Sequence, residues 1–470
     1  MRISIMNIFH FALCILLGVI AYLVCFQLYP TPANLAFAQG IQLGVFIFGF
    51  LSLARVHKTF FSLYGIFLLV FFIFQNGQMI LYAFGIGFDD IFVRKYGLDT
   101  LLEATTFSTS CLMAALAAGI FSKEKKHAAL FFRKINNLSP SLVVQIGKIA
   151  WFALVILAMP LICFKLFITA TRGYHAMMLF MGEYQFITLI EKLFMSFTIL
   201  LLVYVPPHTF WHKILMFFGF AWSAMAALTG DRTAGLAGLT IIALVWSCKS
   251  QHSQRWSIRR YLLLGFVALA LIYLIPFIFN FREQAGAFGN YRSGNVVIST
   301  ISELGFSTMP LILMMSICPS LTPFLWGKSF LGSLVAGFIP RSADILGLTK
   351  WFAYWASYPS YLMENFYNFN FGVDFSLNAE CYINFGWWGW IAMFALCSII
   401  ATCLKQVNFK RSDNLFSQYS ALILLYSWFT LPRRKAFYIF NNFFWYVLVV
   451  GTVLFLIISF IKRKKREIKL

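Results

Sequence analysis

The residues of this chain best suited to chemistry are arginines at the starts of apolar segments. Thr229, Gly230, Asp231, Arg232, Thr233 and Ala234 lead straight into an apolar stretch that carries Gly235 and Gly238. A helix beginning there points unpaired N–H groups and the positive end of its dipole at the turn, where an anion can sit. Arg232 adds a forked donor suited to phosphate. A plainer account fits the same residues: Asp231 caps the helix and Arg232 reaches to lipid headgroups. A second basic turn, Arg433, Arg434 and Lys435, precedes the last apolar segment. Three cations at a helix start oppose the dipole by ~0.3–1 kcal/mol each when exposed. A bound pyrophosphate offsets that cost, and so do anionic lipid headgroups.

Two further groups combine charge with hydrogen-bonding capacity. Arg282 and Glu283 follow directly on an apolar segment, with Arg292 ten residues on and Arg172 and His175 in an earlier polar gap. A carboxylate beside arginines fits a general base, and it also fits a surface ion pair. Asp374, Asn378 and Glu380 stand just before Cys381, Asn384, Gly386, Trp387, Trp388 and Trp390. Asn378 and Glu380 suit the first turn of a helix, where capping alone accounts for them. The tryptophans fit an interfacial belt or a wall on which sugars stack. Within the third apolar segment, Gln75, Asn76, Gly77 and Gln78 form a polar patch that fits interhelical hydrogen bonding or a substrate passage.

The elements that must position these groups are membrane helices. The chain is 61% hydrophobic and 11% charged, with a mean hydropathy of +0.80, which excludes an ordinary soluble domain. Runs of roughly 20 apolar residues, each able to cross a ~30 Å hydrocarbon core, recur from end to end. They predict an all-α integral membrane protein with about twelve spans, near 8–28, 38–54, 61–83, 102–121, 142–166, 186–205, 214–229, 233–248, 261–280, 381–403, 415–431 and 438–460. The first of these lacks a small-residue cleavage site before Pro30 and reads as a retained helix. Three regions follow: a helix bundle over 1–280, a long loop over 281–380, and helices with a basic tail over 381–470. The loop is rich in aromatics, and its stretch 296–319 is apolar enough to dip into the membrane, lie on its surface or cross it.

Charge gives the orientation. Clusters such as Lys123, Lys125 and Lys126, or Lys462 to Arg466, recur in alternate gaps, while nearly all acids lie in the others. Cytoplasmic gaps retain positive charge, so both termini are expected inside and the long loop outside. The net charge of +21 is then a matter of topology and does not point to nucleic acid. The nine cysteines show no C-x-x-C pairing and mostly lie in apolar runs, as small core residues do. No HExxH, P-loop or GxSxG pattern is present, the long loop has no histidine, and no Asp-x-Asp pair stands at a membrane surface. A metal-independent reaction without a cofactor is expected.

In this order, the Thr229–Ala234 turn, the long late loop, the run Leu377 to Gly389 with its acid and Asn-Phe-Gly, and the basic turn Leu431 to Phe437 resemble the O-antigen polysaccharide polymerases. The likeness is carried by the C-terminal half. It implies a class C type membrane glycosyltransferase acting on undecaprenyl-diphosphate-linked oligosaccharide at the periplasmic face of the bacterial inner membrane. Membrane lipids, and a chain-length regulator protein, are the other partners it implies. Arg232, Arg282, Arg433 and Arg434 are the expected diphosphate contacts, with Arg172 and Arg292 in second place, Asp231 and Asn378 beside them, and Glu283 or Glu380 as base. Two rivals share parts of this pattern. An O-antigen ligase would carry a histidine in the late loop, and a lipid-oligosaccharide flippase would need charges lining a cavity and internal repeats.

Overall fold

The computed structural model describes residues 5–57, 62–86, 89–122, 138–183, 185–207, 209–229, 232–249, 295–338, 347–367, 375–404 and 415–467. Among these residues every regular element is helical. Among the described residues, eight helical segments are long and apolar enough to cross a membrane, judged by length and composition. The apolar runs expected from the sequence fall on helices wherever they are described, and the run near 261–280 lies outside the described residues. The chain forms two compact units, each drawn from separated stretches of sequence.

The first unit comprises residues 1–124, 293–405 and 431–441. Its helices are α1 (Ile5–Phe26), α2 (Pro32–His57), α3 (Leu63–Ala83) and α4 (Asp89–Phe121), then α9 (Val296–Gly305), α10 (Met309–Ile317), α11 (Lys328–Phe338), α12 (Leu348–Tyr367), α13 (Leu377–Phe385) and α14 (Gly389–Leu404). The central member is α4, against which α1, α2 and α14 all pack. Its buried face is built from small residues, among them Ala104, Ser108, Cys111, Ala115 and Ala118, and small residues let apolar helices approach closely.

The stretch 296–319, for which the sequence allows three placements, is helical. Val296–Ile317 is a 22-residue candidate span that packs on α3. The close fit explains two glycines. A methyl at Gly77 would meet the Ile301 carbonyl at 2.8 Å, and one at Gly305 would collide with the Gln78 amide nitrogen. Hydrogen bonds reinforce the seam: Gln78 Nε2 donates to the Ser302 carbonyl at 3.0 Å, and the Thr308 hydroxyl donates to the Gln75 carbonyl at 2.7 Å. The Gln75–Gln78 patch is thus engaged in interhelical bonding. Further helices occupy the region expected to be a loop. The pair α11 and α12 is tightly packed, with Gly332 against the Phe352 carbonyl.

The second unit comprises residues 125–292, 406–430 and 442–470. It holds α5 (Pro140–Glu183), α6 (Gln185–Tyr204), α7 (Phe210–Leu228), α8 (Arg232–Lys249), α15 (Leu415–Thr430), a π-helical segment (Phe443–Val449) and α17 (Val450–Glu467). A short helix α16 (Phe437–Asn442) joins the basic turn to that π segment. Gly173, at φ 80°, interrupts α5 directly after Arg172. The π segment leaves carbonyls outside the α-helical ladder. The Tyr446 carbonyl accepts from the Tyr419 hydroxyl and from Ser196 Oγ.

A buried ion pair ties α5 to α6. Lys165 Nζ lies 2.8 Å from both oxygens of Glu191, and the side chains are only 7% and 9% exposed. A buried charge that loses its close partner is costly, so Lys165→Ala is expected to destabilise the protein by about 3–5 kcal/mol. The double variant Lys165→Met/Glu191→Leu should be much milder, since neither charge remains. Thermal unfolding in detergent checks this: equal melting of the single and double variants would mean that the pair does not hold the helices together.

Candidate functional site: a clamped basic turn and an arginine-led helix

The basic turn is the best-defined part of the site. After α15 the chain enters a 3-10 turn, Leu431–Arg433, where Pro432 supplies the fixed φ that suits the start of a helical turn. The Arg434 N–H donates to the Leu431 carbonyl at 3.0 Å, and the Tyr438 N–H donates to the Lys435 carbonyl at 3.1 Å. Leu431, Pro432 and Ala436 are buried, whereas Arg433, Arg434 and Lys435 are half-buried. The turn therefore seats its apolar residues and leaves its three cations partly accessible. The Arg434 guanidinium lies over the Tyr438 ring, 4.7 Å from its centroid, a contact that orients the plane of the fork.

Two buried polar side chains hold the backbone of this turn. On one side, Gln75 Nε2 of α3 donates to the Pro432 carbonyl. On the other, the Ala436 N–H donates to Glu380 Oε2 at 2.7 Å. The Ser329 hydroxyl of α11 donates to Glu380 Oε1 at 3.1 Å. Asn384, one turn further along α13, donates to Ser329 Oγ at 2.6 Å and to the Glu380 carbonyl at 2.7 Å. Its Oδ1 accepts from the Ser329 N–H at 3.3 Å. Gln75, Ser329, Glu380 and Asn384 are all 0% exposed. A buried carboxyl is tolerated only where hydrogen bonds replace its water, and Glu380 has one on each oxygen.

Asn378, on the same helix as Glu380, faces a different neighbour. Its Nδ2 donates to Ser108 Oγ of α4 at 3.0 Å, and the Ser108 hydroxyl donates to Asn76 Oδ1 of α3 at 2.6 Å. The first turn of α13 is capped by Ser376, whose side chain accepts from the Ala379 N–H. Asn378 and Glu380 therefore work as links between helices, with Ser376 taking the cap that the sequence allowed them. Gly386, at φ 56°, ends α13 in a conformation open to glycine. Of the tryptophans that follow, Trp387 packs edge-on against Tyr22, Phe107 and Tyr382, while Trp388 and Trp390 are exposed.

The α11–α12 pair carries an aromatic ladder. Trp351, Trp355, Tyr358 and Tyr361 follow one another at helical spacing, with successive ring centroids 6.0, 5.2 and 6.3 Å apart. Tyr354 adjoins Trp355 and Tyr358, and Lys328 Nζ stands 4.7 Å from the Trp355 ring centroid. Trp351, Tyr354 and Tyr361 are exposed.

In the second unit, α7 and α8 form a tight hairpin. Thr229 closes α7: its N–H donates to the Met225 carbonyl and its hydroxyl to the Ala226 carbonyl, each at 2.9 Å. The close approach of the two helices depends on Gly235 and Gly238. A methyl at the first would collide with the Ala227 backbone, and one at the second with Ser223 Oγ. This packing fixes the start of α8, whose first residue is Arg232. Arg172 is exposed at the interruption of α5. Asp231, Arg282, Glu283 and Arg292 lie outside the described residues. Among the described residues, no group of three His, Cys, Asp or Glu side chains is placed to share a metal ion.

Sequence reasoning missed two members of the frame around the basic turn. Ser329 carries no local signal, and Asn384 is visible only as part of the Asn-Phe-Gly run. Gln75 is visible as a polar residue in an apolar helix, without its partner.

Long apolar helices and a buried polar frame beneath a cationic turn define a multi-pass membrane protein that is all-helical among the described residues. The family model of the O-antigen polysaccharide polymerase Wzy matches residues 5–465, nearly the whole chain, and the chain belongs to that family. Its general activity is accordingly the polymerisation of O-antigen repeat units by a glycosyltransferase-like membrane enzyme. No curated protein and no solved structure matches the chain.

Proposed function

We infer that the chain joins undecaprenyl-diphosphate-linked oligosaccharide repeat units at the periplasmic face of the inner membrane, without a metal ion. In each cycle the bond between the reducing-end sugar carbon of the growing glycan and its lipid diphosphate breaks. A glycosidic bond forms to a hydroxyl of the incoming lipid-linked unit, the hydroxyl proton passes to a base, and undecaprenyl diphosphate departs. The main electrostatic task is to stabilise negative charge gathering on the departing diphosphate, which fixed guanidinium groups and helix N-termini do well. The observation that carries this reading is the basic turn Arg433–Lys435, seated on a buried polar frame with its cations half-accessible.

Arg433 and Arg434 are the proposed diphosphate contacts; the sequence adds Arg232 and Arg282 as candidates, with Arg172 and Arg292 in second place. Glu380 is engaged through both carboxyl oxygens, so Glu283 is the better acceptor for the hydroxyl proton. The exposed aromatics of α12 offer ring faces to glycan. The alternate sorting of basic clusters supports cytoplasmic termini and a periplasmic site.

The test is the lipopolysaccharide of a strain lacking this gene. Cores bearing a single repeat unit are expected. Bare cores with polymer accumulating on its lipid carrier would mean a ligase, and repeat units trapped inside the cell would mean a flippase.

A further inference from the structure

We propose that Gln75 and Glu380 form a two-point clamp on the basic turn, acting as positioning residues that hold it ready for the lipid diphosphate. The proposal rests on the reading of Arg433 and Arg434 as diphosphate contacts. The two ties reach the turn from different helices, α3 and α13, and take hold at Pro432 and Ala436. They bracket the three cations. Each clamping residue is itself held, Gln75 through its backbone carbonyl by Thr308 and Glu380 through its second oxygen by Ser329, which Asn384 holds in turn.

Physical chemistry favours such an arrangement. Arginine and lysine side chains are long, and ordering them on a mobile loop would oppose binding with lost conformational entropy. A backbone fixed at both ends removes much of that cost before the ligand arrives. Complete burial, with a donor already on each oxygen, leaves Glu380 no face for a sugar hydroxyl, so its contribution runs through the turn.

The test uses the full chain in nanodiscs, with undecaprenyl diphosphate as the binding probe and a melting curve for every variant. Glu380→Ala and Gln75→Leu should each weaken binding roughly tenfold in protein that is still fully folded at the assay temperature. Glu380→Gln, which still accepts the Ala436 N–H, should recover most of that loss. The double variant Gln75→Leu/Glu380→Ala should bind little worse than the weaker single variant, because a turn released at one end has already lost its geometry.

If Glu380→Gln loses as much as Glu380→Ala, the carboxyl does chemistry of its own and the clamp is overturned. The same holds if binding losses merely follow the unfolded fraction. Should Arg434→Ala weaken binding while the clamp variants bind like the parent, the clamp alone fails. Normal binding by Arg433→Ala/Arg434→Ala would remove the diphosphate reading, and the clamp with it.

Discussion

Replacing Arg433 and Arg434 together by alanine should abolish chain extension while the protein still inserts and accumulates normally. Both side chains are half-buried on a turn whose backbone is tied to α3 and α13. Neither is part of the apolar seat made by Leu431, Pro432 and Ala436, so that seat is unchanged in the variant. Removing one well-placed donor to a developing anion typically costs about 10²–10³ in rate. Losing two should therefore bring polymer below detection on a lipopolysaccharide ladder. Single lysine replacements are more informative still. Lysine keeps the charge but loses the planar fork, and at position 434 it also loses the flat contact with Tyr438. Arg434→Lys should thus retain a shortened or sparse ladder, well below the parent. Long chains in the double alanine variant would show that this turn is not where the diphosphate is held.

Arg232→Ala is expected to have the next largest effect, a loss of about 10²-fold in polymer formed. Arg232 is the first residue of α8, so its charge adds to the positive end of the helix dipole. Its position depends on the hairpin behind it. Thr229 closes α7, and the contacts at Gly235 and Gly238 set the depth at which α8 begins. A steric change there should mimic the charge change. Gly235→Val drives a branched side chain into the Ala227 backbone and should depress polymerisation even though Arg232 is intact. The control is Arg232→Lys, which should fall between alanine and the parent if charge and fork both matter. Polymerisation unchanged in both Arg232→Ala and Gly235→Val would remove this hairpin from the site.

The helices and the two cationic turns are legible in the sequence, for a simple physical reason. Helices in lipid must satisfy their own backbone, so apolar length marks them reliably, and α8 begins at Arg232, where the sequence puts a helix start. The basic turn is conspicuous because three cations at a helix start need compensation. The nature of that compensation is not legible, since it lies far away along the chain: Gln75 and Pro432 are 357 residues apart, and Glu380 and Ala436 are 56 apart. Local pattern shows that Gln75 is polar in an apolar helix; it does not show which neighbour the amide meets. Glu380 illustrates the same limit. An acid in a first helical turn suits the dipole, and only the packing of α11 and the basic turn reveals a buried carboxyl engaged on both oxygens. The stretch 296–319 is ambiguous in sequence because its 22-residue helical core is apolar enough to span, yet Gly305 and Pro310 punctuate it. Packing against Gly77 resolves it as helix on helix.

The central claim is that this chain alone extends a lipid-linked glycan with loss of lipid diphosphate. The most direct measurement places the purified full-length protein in liposomes with undecaprenyl-diphosphate-linked repeat units as the only sugar source, in buffer containing a metal chelator. The account predicts a ladder of lipid-linked oligomers and one undecaprenyl diphosphate released for every new glycosidic bond. Repeat units left unextended, or consumed only when a lipid A core is added as acceptor, would contradict it.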